Sequence, residues 1–241
     1  MIYKANFKLI IGDEEETQNL LEFKVFQSAR FHTQHCQLKV SKIEAKLDDR
    51  VELYLGYKEL YPVFKGYVTD ISNKRIIFIK AKDEYIKLVN ERITKSFNKT
   101  TPKEIINSIV KYEVAFTEKS FIQKHHFPIW NESIDTALRR VQKTWNLKNF
   151  IWFFDMDGVL HFHDINEDKF HKDYKAEITT DLIKLAIPKK DHMELYLTKP
   201  LFDIYPLHIV DILANKYLVE TVIHTYEDKK LTTTLYLSNL S

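Results

Sequence analysis

The chain opens with apolar and polar residues alternating in short runs. Val51, Leu53, Leu55 and Tyr57 are interleaved with Glu52, Tyr54 and Gly56, the period of a half-buried strand. Similar runs predict strands over residues 3–11, 20–26, 37–40, 63–71 and 75–82. The first is closed by the polar turn Gly12-Asp13-Glu14-Glu15-Glu16, and a second polar turn, Ser72-Asn73-Lys74, makes a hairpin of 63–71 and 75–82. A short helical turn is expected over 84–89.

The period then changes. Thr101-Pro102-Lys103-Glu104 is a helix start: Thr is a good N-cap, Pro suits the first helical position, and Glu three residues after the cap completes a capping box. Ile105, Ile106 and Ile109 give that helix an apolar face. A second helix is expected from near Asn131, where Ile134, Ala137, Leu138, Val141 and Trp145 recur at helical spacing and read as core contacts. Strands return over 150–155 and 159–164, joined at Met156-Asp157-Gly158, and Asp-Gly is a strong tight-turn signal. Shorter strands are expected at 182–187, 193–197 and 208–213, and a long hairpin at 217–226 and 231–237. The hairpins at 64–81 and 217–237 echo each other, each turning at a basic residue. The fold class expected is mainly β with helical connections (α+β), with many strands joined by tight turns as in antiparallel barrels or sandwiches.

Composition supports that reading and narrows the function. Aromatics reach 13%, and Phe and Tyr favour strands. The net charge of +2 carries no overall nucleic-acid signal. One cysteine, Cys36, excludes an internal disulfide and a multi-cysteine zinc site. It reads as a small buried hydrophobe despite its neighbour His35. The four glycines are scattered, so no phosphate-cradling or dinucleotide loop is present. The N-terminus shows no apolar leader region and no run approaches a membrane span. A protein made in the cytoplasm that stays soluble or joins a soluble assembly is expected.

Three constellations could carry chemistry. Asp155-Met156-Asp157-Gly158 after an apolar strand resembles the first motif of haloacid dehalogenase-type phosphatases. There the first Asp, here Asp155, would attack phosphorus and the second, Asp157, would protonate the leaving group. Thr179, Thr180 and Lys184 are the nominees for later motifs, but residues 159–241 do not alternate strand and helix. A hairpin turn explains the same letters. His161 and His163 share a strand face and could bind a metal with Asp164 or His171. The plainer reading puts them on the outer face of a strand whose inner face is Leu160 and Phe162. His125-His126 would point to opposite faces. Glu14-Glu15-Glu16, Lys189-Lys190 and Lys229-Lys230 read as solvated turns. No catalytic, cofactor-binding or metal-binding residue is therefore expected, and no enzyme.

The order of features is more specific than any of these motifs. Asp49-Arg50-Val51-Glu52-Leu53-Tyr54-Leu55-Gly56 precedes Val63-Phe64-Lys65-Gly66-Tyr67-Val68-Thr69-Asp70-Ile71, then Ile77-Phe78-Ile79-Lys80-Ala81-Lys82-Asp83. Next come Thr101-Pro102-Lys103-Glu104-Ile105-Ile106, Ala137-Leu138-Arg139-Arg140-Val141, and finally Tyr217-Leu218-Val219-Glu220-Thr221-Val222. This order resembles the late control D family of phage baseplate hubs, itself similar to the N-terminal hub region of type VI secretion VgrG. The resemblance implies two tube-like antiparallel β-barrels per chain, over residues 1–98 and 149–241, with a helical connecting region at 99–148. It implies a homotrimer whose six barrels form a pseudo-hexameric ring joining the tail tube to the central spike. Expected partners are the tail tube protein, a central spike protein and the tape measure protein, with no membrane anchor and no sequence-specific nucleic-acid binding. The expected location is the virion tail or baseplate of a phage, prophage or related contractile injection system, after synthesis in the host cytoplasm. Many relatives continue into an oligonucleotide-binding-like domain and a spike, whereas this sequence stops at Ser241, so either a separate spike protein is expected or the likeness is to the hub alone. A tail-associated hydrolase and the Asp155/Asp157 phosphatase are the alternatives.

Overall fold

A computed structural model describes residues 5–72, 75–117, 119–190 and 192–240. Tyr3 of the first predicted strand, and Asn73 and Lys74 of the predicted turn, lie outside the described residues. The chain forms two compact units: unit 1 takes Met1–Asp83 with Asp168–Ser241, and unit 2 takes Glu84–Glu167.

Unit 1 begins with β1 (Asn6–Ile11), β2 (Glu14–Glu15), β3 (Leu20–Ser28), β4 (His35–Val40), β5 (Arg50–Gly56), β6 (Leu60–Ser72) and β7 (Ile77–Lys82). Unit 2 comes next with α1 (Tyr85–Asn90), β8 (Arg92–Thr100), α2 (Pro102–Ile109), β9 (Val114–Phe116), β10 (Lys124–Ser133), α3 (Ile134–Thr144), β11 (Phe150–Phe154) and β12 (Leu160–Asp164). The chain then returns to unit 1 with β13 (Lys172–Asp173), β14 (Ile183–Pro188), β15 (Met193–Leu197), β16 (His208–Ile212), β17 (Asn215–Glu227) and β18 (Lys230–Asn239).

All the strands of unit 1 belong to one sheet. Its path is β14-β15-β18-β17-β3-β4-β7-β6-β5-β1-β2, with β16 on β17 and β13 on β16. It is curled and antiparallel apart from the two-residue β13–β16 pair. The β5 alternation appears as expected: Val51, Leu53 and Leu55 are buried while Arg50, Glu52 and Tyr54 are half-buried. Bulges at β3–β4, β5–β6, β6–β7 and β17–β18 each break the register. A bulge increases local twist, which accounts for curling in a sheet with only four glycines in the whole chain.

The two hairpins that echo each other in sequence, β6–β7 and β17–β18, fall in the two halves of this sheet, and a seam between β3 and β17 joins the halves. There Thr221 to Tyr226 pair with Ser28 to Phe23. At the end of the seam Ala29 N donates to Glu220 O at 3.0 Å, and Thr221 Oγ1 donates to Ser28 Oγ at 2.8 Å. Glu220 occupies the β17–β18 bulge, so its carboxylate turns out of the ladder to meet the Arg30 guanidinium. Each half has its own core. One holds Leu9, Val25, Leu38, Leu53, Phe64 and Ile79, and the other holds Ile178, Leu195, Val210, Val222 and Leu235.

Gly66 shows how tightly the first half is packed. A Cβ there would stand 2.2 Å from the Lys82 carbonyl oxygen on the neighbouring strand. Gly66→Ala is therefore expected to destabilise by about 1–3 kcal/mol, the usual range for overpacking. A urea midpoint unchanged from wild type would contradict that.

Unit 2 is built round its helices. The Thr101 capping box is present: Thr101 N donates to Glu104 Oε2 at 2.7 Å, and Glu104 N to Thr101 Oγ1 at 3.4 Å. The N–H and hydroxyl of Thr101 hold the Glu104 carboxyl below its ordinary range. The second helix starts at Ile134 rather than near Asn131, because β10 runs through Ser133, whose hydroxyl then caps α3 through Thr136 N. Ile134, Ala137, Leu138 and Val141 are buried as the periodicity predicts. β11, β12 and β9 form a three-stranded sheet, and β8 pairs with β10 in a separate ribbon. The hairpin β11–β12 shares a core with α2 and α3. Trp152 lies at the centre of that core, with its indole N–H donating to the Tyr85 hydroxyl at 3.2 Å.

Candidate functional site

The Asp155 motif forms a turn. Asp155 Oδ1 accepts from the N–H groups of Asp157 and Val159, both at 3.0 Å. Its Oδ2 lies 3.0 Å from Nε2 of His161. Gly158 closes the turn at φ +82°, a conformation that favours glycine. Burial alone would raise the Asp155 carboxyl. The hydrogen bonds from His161, Val159 and Asp157, with the attraction of His161, outweigh it and hold the group below the ordinary range. Both oxygens are thus engaged, while Asp157 points to solvent. Thr179, Thr180 and Lys184 belong to unit 1 and the two aspartates to unit 2.

Asp155→Ala removes three polar contacts and is expected to cost about 1–3 kcal/mol. The lowered carboxyl fixes the sign with pH. Its contribution is complete above the unfolded value near 3.9 and is lost as pH falls through the lower folded value. The difference between wild type and Asp155→Ala should therefore shrink only below about pH 4, as read from denaturation midpoints.

The histidine pair differs from its expected place. His161 is largely covered and His163 is completely buried, so the two do not lie on a solvent face. β12 is the central strand of its sheet, and both of its faces are covered: Leu160 and Phe162 are buried on one, and His163 on the other. His161 stacks on Phe153 with ring centroids 4.9 Å apart. Its Nδ1 lies 3.3 Å from Nε2 of His163, whose Nδ1 lies 3.0 Å from the Asp164 carbonyl oxygen. Asp155, His161 and His163 thus form one hydrogen-bonded chain that runs from the half-buried Asp155 to the fully buried His163. Asp164 uses its carboxylate to accept from Asn166. His171 sits in unit 1, with Nδ1 at 3.8 Å from Asp168. No group of three or more metal-ligating side chains occurs among the described residues.

The other nominees are equally settled in packing or solvent. Cys36 is fully buried on β4, and burial pushes its thiol up. A buried neutral thiol is not a nucleophile. His125 and His126 are exposed on β10, and His126 Nδ1 lies 3.0 Å from Asn98 Oδ1. The β8–β10 ribbon that carries them has little sequence signal, because β8 is mostly Lys, Asn, Thr and Ser with only Ile93 and Phe97 to mark an inner face.

Beyond these groups the described surface carries exposed aromatic side chains on both units. Phe31, beside the seam, is 62% exposed and stacks edge-on against Phe26. Trp130, on β10, is 80% exposed.

No protein-family model matches the sequence, and no curated protein matches it. Solved structures do match the fold. The 43 kDa tail protein of prophage MuSo2 from Shewanella oneidensis superposes with a TM-score of 0.74 at 14% identity, over 97% of this chain and 98% of that one. The tail protein from Neisseria meningitidis MC58 gives 0.71 at 10% identity, over 98% and 97%. The E. coli c3393 protein, a component of the type VI secretion system with structural similarity to the T4 bacteriophage tail proteins gp27 and gp5, gives 0.68 at 12% identity, over 97% and 77%. At these identities the shared property is the fold, and it extends over almost the whole chain.

Proposed function

We propose that this chain is a structural tail hub: a non-catalytic protein that trimerises into a pseudo-hexameric ring between the tail tube and the central spike of a phage-type tail. The observation that carries the reading is the superposition on two tail proteins over nearly their full lengths as well as this one. It supports a tail or baseplate location and an architecture of the same kind. Two halves of one sheet, each with its own core and its own long hairpin, support two tube-like elements per subunit. These halves, β1–β7 and β13–β18, lie inside the segments 1–98 and 149–241, while 84–98 and 149–167 pack in unit 2 together with 99–148. Three subunits would then supply six such elements.

Partners in this reading are a tail tube protein, a central spike protein and a tape measure protein. No cofactor or metal is required. The late control D family is the one that this order of features resembles. The test is mass in solution by light scattering over a concentration series. A trimer is expected at micromolar concentration. A monomer at every concentration would overturn the self-assembling ring.

A further inference from the structure

The halves of the unit 1 sheet, β1–β7 and β13–β18, are joined a second time by a segment that forms no strand. Residues 198–207 run from β15 to β16 and are rooted at both ends in the second half. Thr198 N donates to Leu182 O and Leu207 N to Val219 O, each at 2.8 Å. Leu201 and Ile204 pack in the second-half core, and Thr233 Oγ1 donates to the Leu201 carbonyl oxygen at 3.5 Å. Phe202 crosses over. It is 3% exposed and packs in the first-half core, its ring centroid 5.0 Å from that of Tyr57. Two hydroxyls bond across beside it: Tyr57 donates to the Pro200 carbonyl oxygen at 3.4 Å, and Tyr205 to that of Pro62 at 2.9 Å. The Lys199 ammonium stands 5.0 Å from the centre of the Tyr57 ring.

The two joins differ in kind. At the seam, β3 and β17 share a backbone ladder from Ser28–Thr221 to Phe23–Tyr226, whose rungs break cooperatively. The 198–207 crossing has no backbone–backbone hydrogen bond to the first half among the described residues. It relies on one buried ring and on side-chain hydroxyls. A cavity of about 490 Å³ lies against it, lined by Tyr57, Tyr61, Lys199 and Phe202 among others, so one side of the crossing is open. Segments with few buried contacts and no ladder open locally at lower free energy than the elements round them.

We propose that residues 198–207 are a releasable clasp. Phe202 and the two hydroxyl bonds hold the second half against the β5–β6 turn of the first, and they let go while the β3–β17 seam stays paired. Leu201 and Ile204 keep the released segment on its own half. With the clasp shut the two halves share one curvature; with it open they turn about the seam. The clasp does not depend on the hub reading, because both joins lie within one copy of the chain.

The test places a thiol where the crossing ring stands: Phe202→Cys in a Cys36→Ala chain, labelled with a thiol reagent over urea concentrations below the unfolding midpoint. The reference is Cys36 of the natural chain, fully buried on β4 in the same core. Position 202 is expected to label at least about tenfold faster than Cys36 and almost independently of urea, because local opening exposes little surface and opening the ladder exposes much. Val25→Ala, a truncation on the seam strand β3, is then added to both chains. It is expected to speed labelling of Cys36 about tenfold and to leave position 202 unchanged. That comparison distinguishes local release from the general loosening caused by a smaller side chain. Equal rates and urea slopes at the two thiols, or equal acceleration by Val25→Ala, would show that the two joins open as one and overturn the clasp. If the Phe202→Cys chain does not fold, chymotrypsin on the natural chain decides. A cut after Phe202 at a urea-independent rate supports local release, and its absence until the whole chain unfolds overturns it.

Discussion

Trp152→Ala is expected to remove about 3–5 kcal/mol of stability, the range for deleting a large aromatic from a closed core. Trp152 is fully buried and is held on several sides. Phe162 stacks near it at 5.8 Å between centroids, and the Arg139 guanidinium lies 5.7 Å over its ring. Its N–H donates to the Tyr85 hydroxyl, which in turn bonds Asp135, and Asp135 pairs with Arg139 at 3.0 Å. Truncation therefore leaves a cavity and removes one hydrogen bond from a buried network. β11 and its packing against the helices should be lost first. A urea titration followed by circular dichroism reads the cost, and a loss under about 1 kcal/mol would show that the site collapses without penalty.

The second large effect is acid sensitivity in unit 1. His224 is fully buried on β17, and burial pushes its imidazole down to about 3. His208 is pushed down to about 4, by burial first and then by Lys172, against a smaller opposing pull from Asp203. Both are neutral in the folded protein at pH 7. Below about 6.5 the unfolded chain takes up protons that the folded chain refuses, so stability falls with pH by up to about 1.4 kcal/mol per unit for each such group. His224 should give nearly the full slope. His208 is partly open to solvent, so screening reduces its share. His224→Gln is expected to flatten the dependence between pH 6.5 and 4.5 by about one proton's worth. Denaturation midpoints at pH 7, 6, 5 and 4.5 measure it. Parallel profiles for wild type and variant would refute the assignment to His224.

The elements easiest to read from sequence are those whose signal is local. The Thr101 capping box, the apolar stripe of α3 and the alternation of β5 each depend on residues within one or two turns or one strand. Each appears in place, with α3 displaced by the β10 extension. The β8–β10 ribbon is not legible because β8 is mostly polar, with only Ile93 and Phe97 to set a period. The seam between β3 and β17 is not legible either, since Phe23, Val25, Val222 and His224 carry no mark of which strand they will meet. In the candidate site, the turn at Asp155 is legible from Asp157-Gly158. The burial of His163 is not, because only β9, arriving from 114–116 to lie alongside β12, makes that strand central.

The same seam sets the order in which the molecule can be made. Ser28 and Thr221 bond to each other across 193 positions of chain. At about 5–20 residues per second a ribosome needs on the order of ten to forty seconds to deliver the later strand after the earlier one. Through that interval β3 has β4 on one side and an open ladder on the other. Unit 2, whose pairings all lie within 84–167, is free to form in the meantime. Folding should accordingly show a late phase governed by this long-range closure, as is general for high contact order. A nascent chain released before β17 emerges should aggregate through the bare edge of β3.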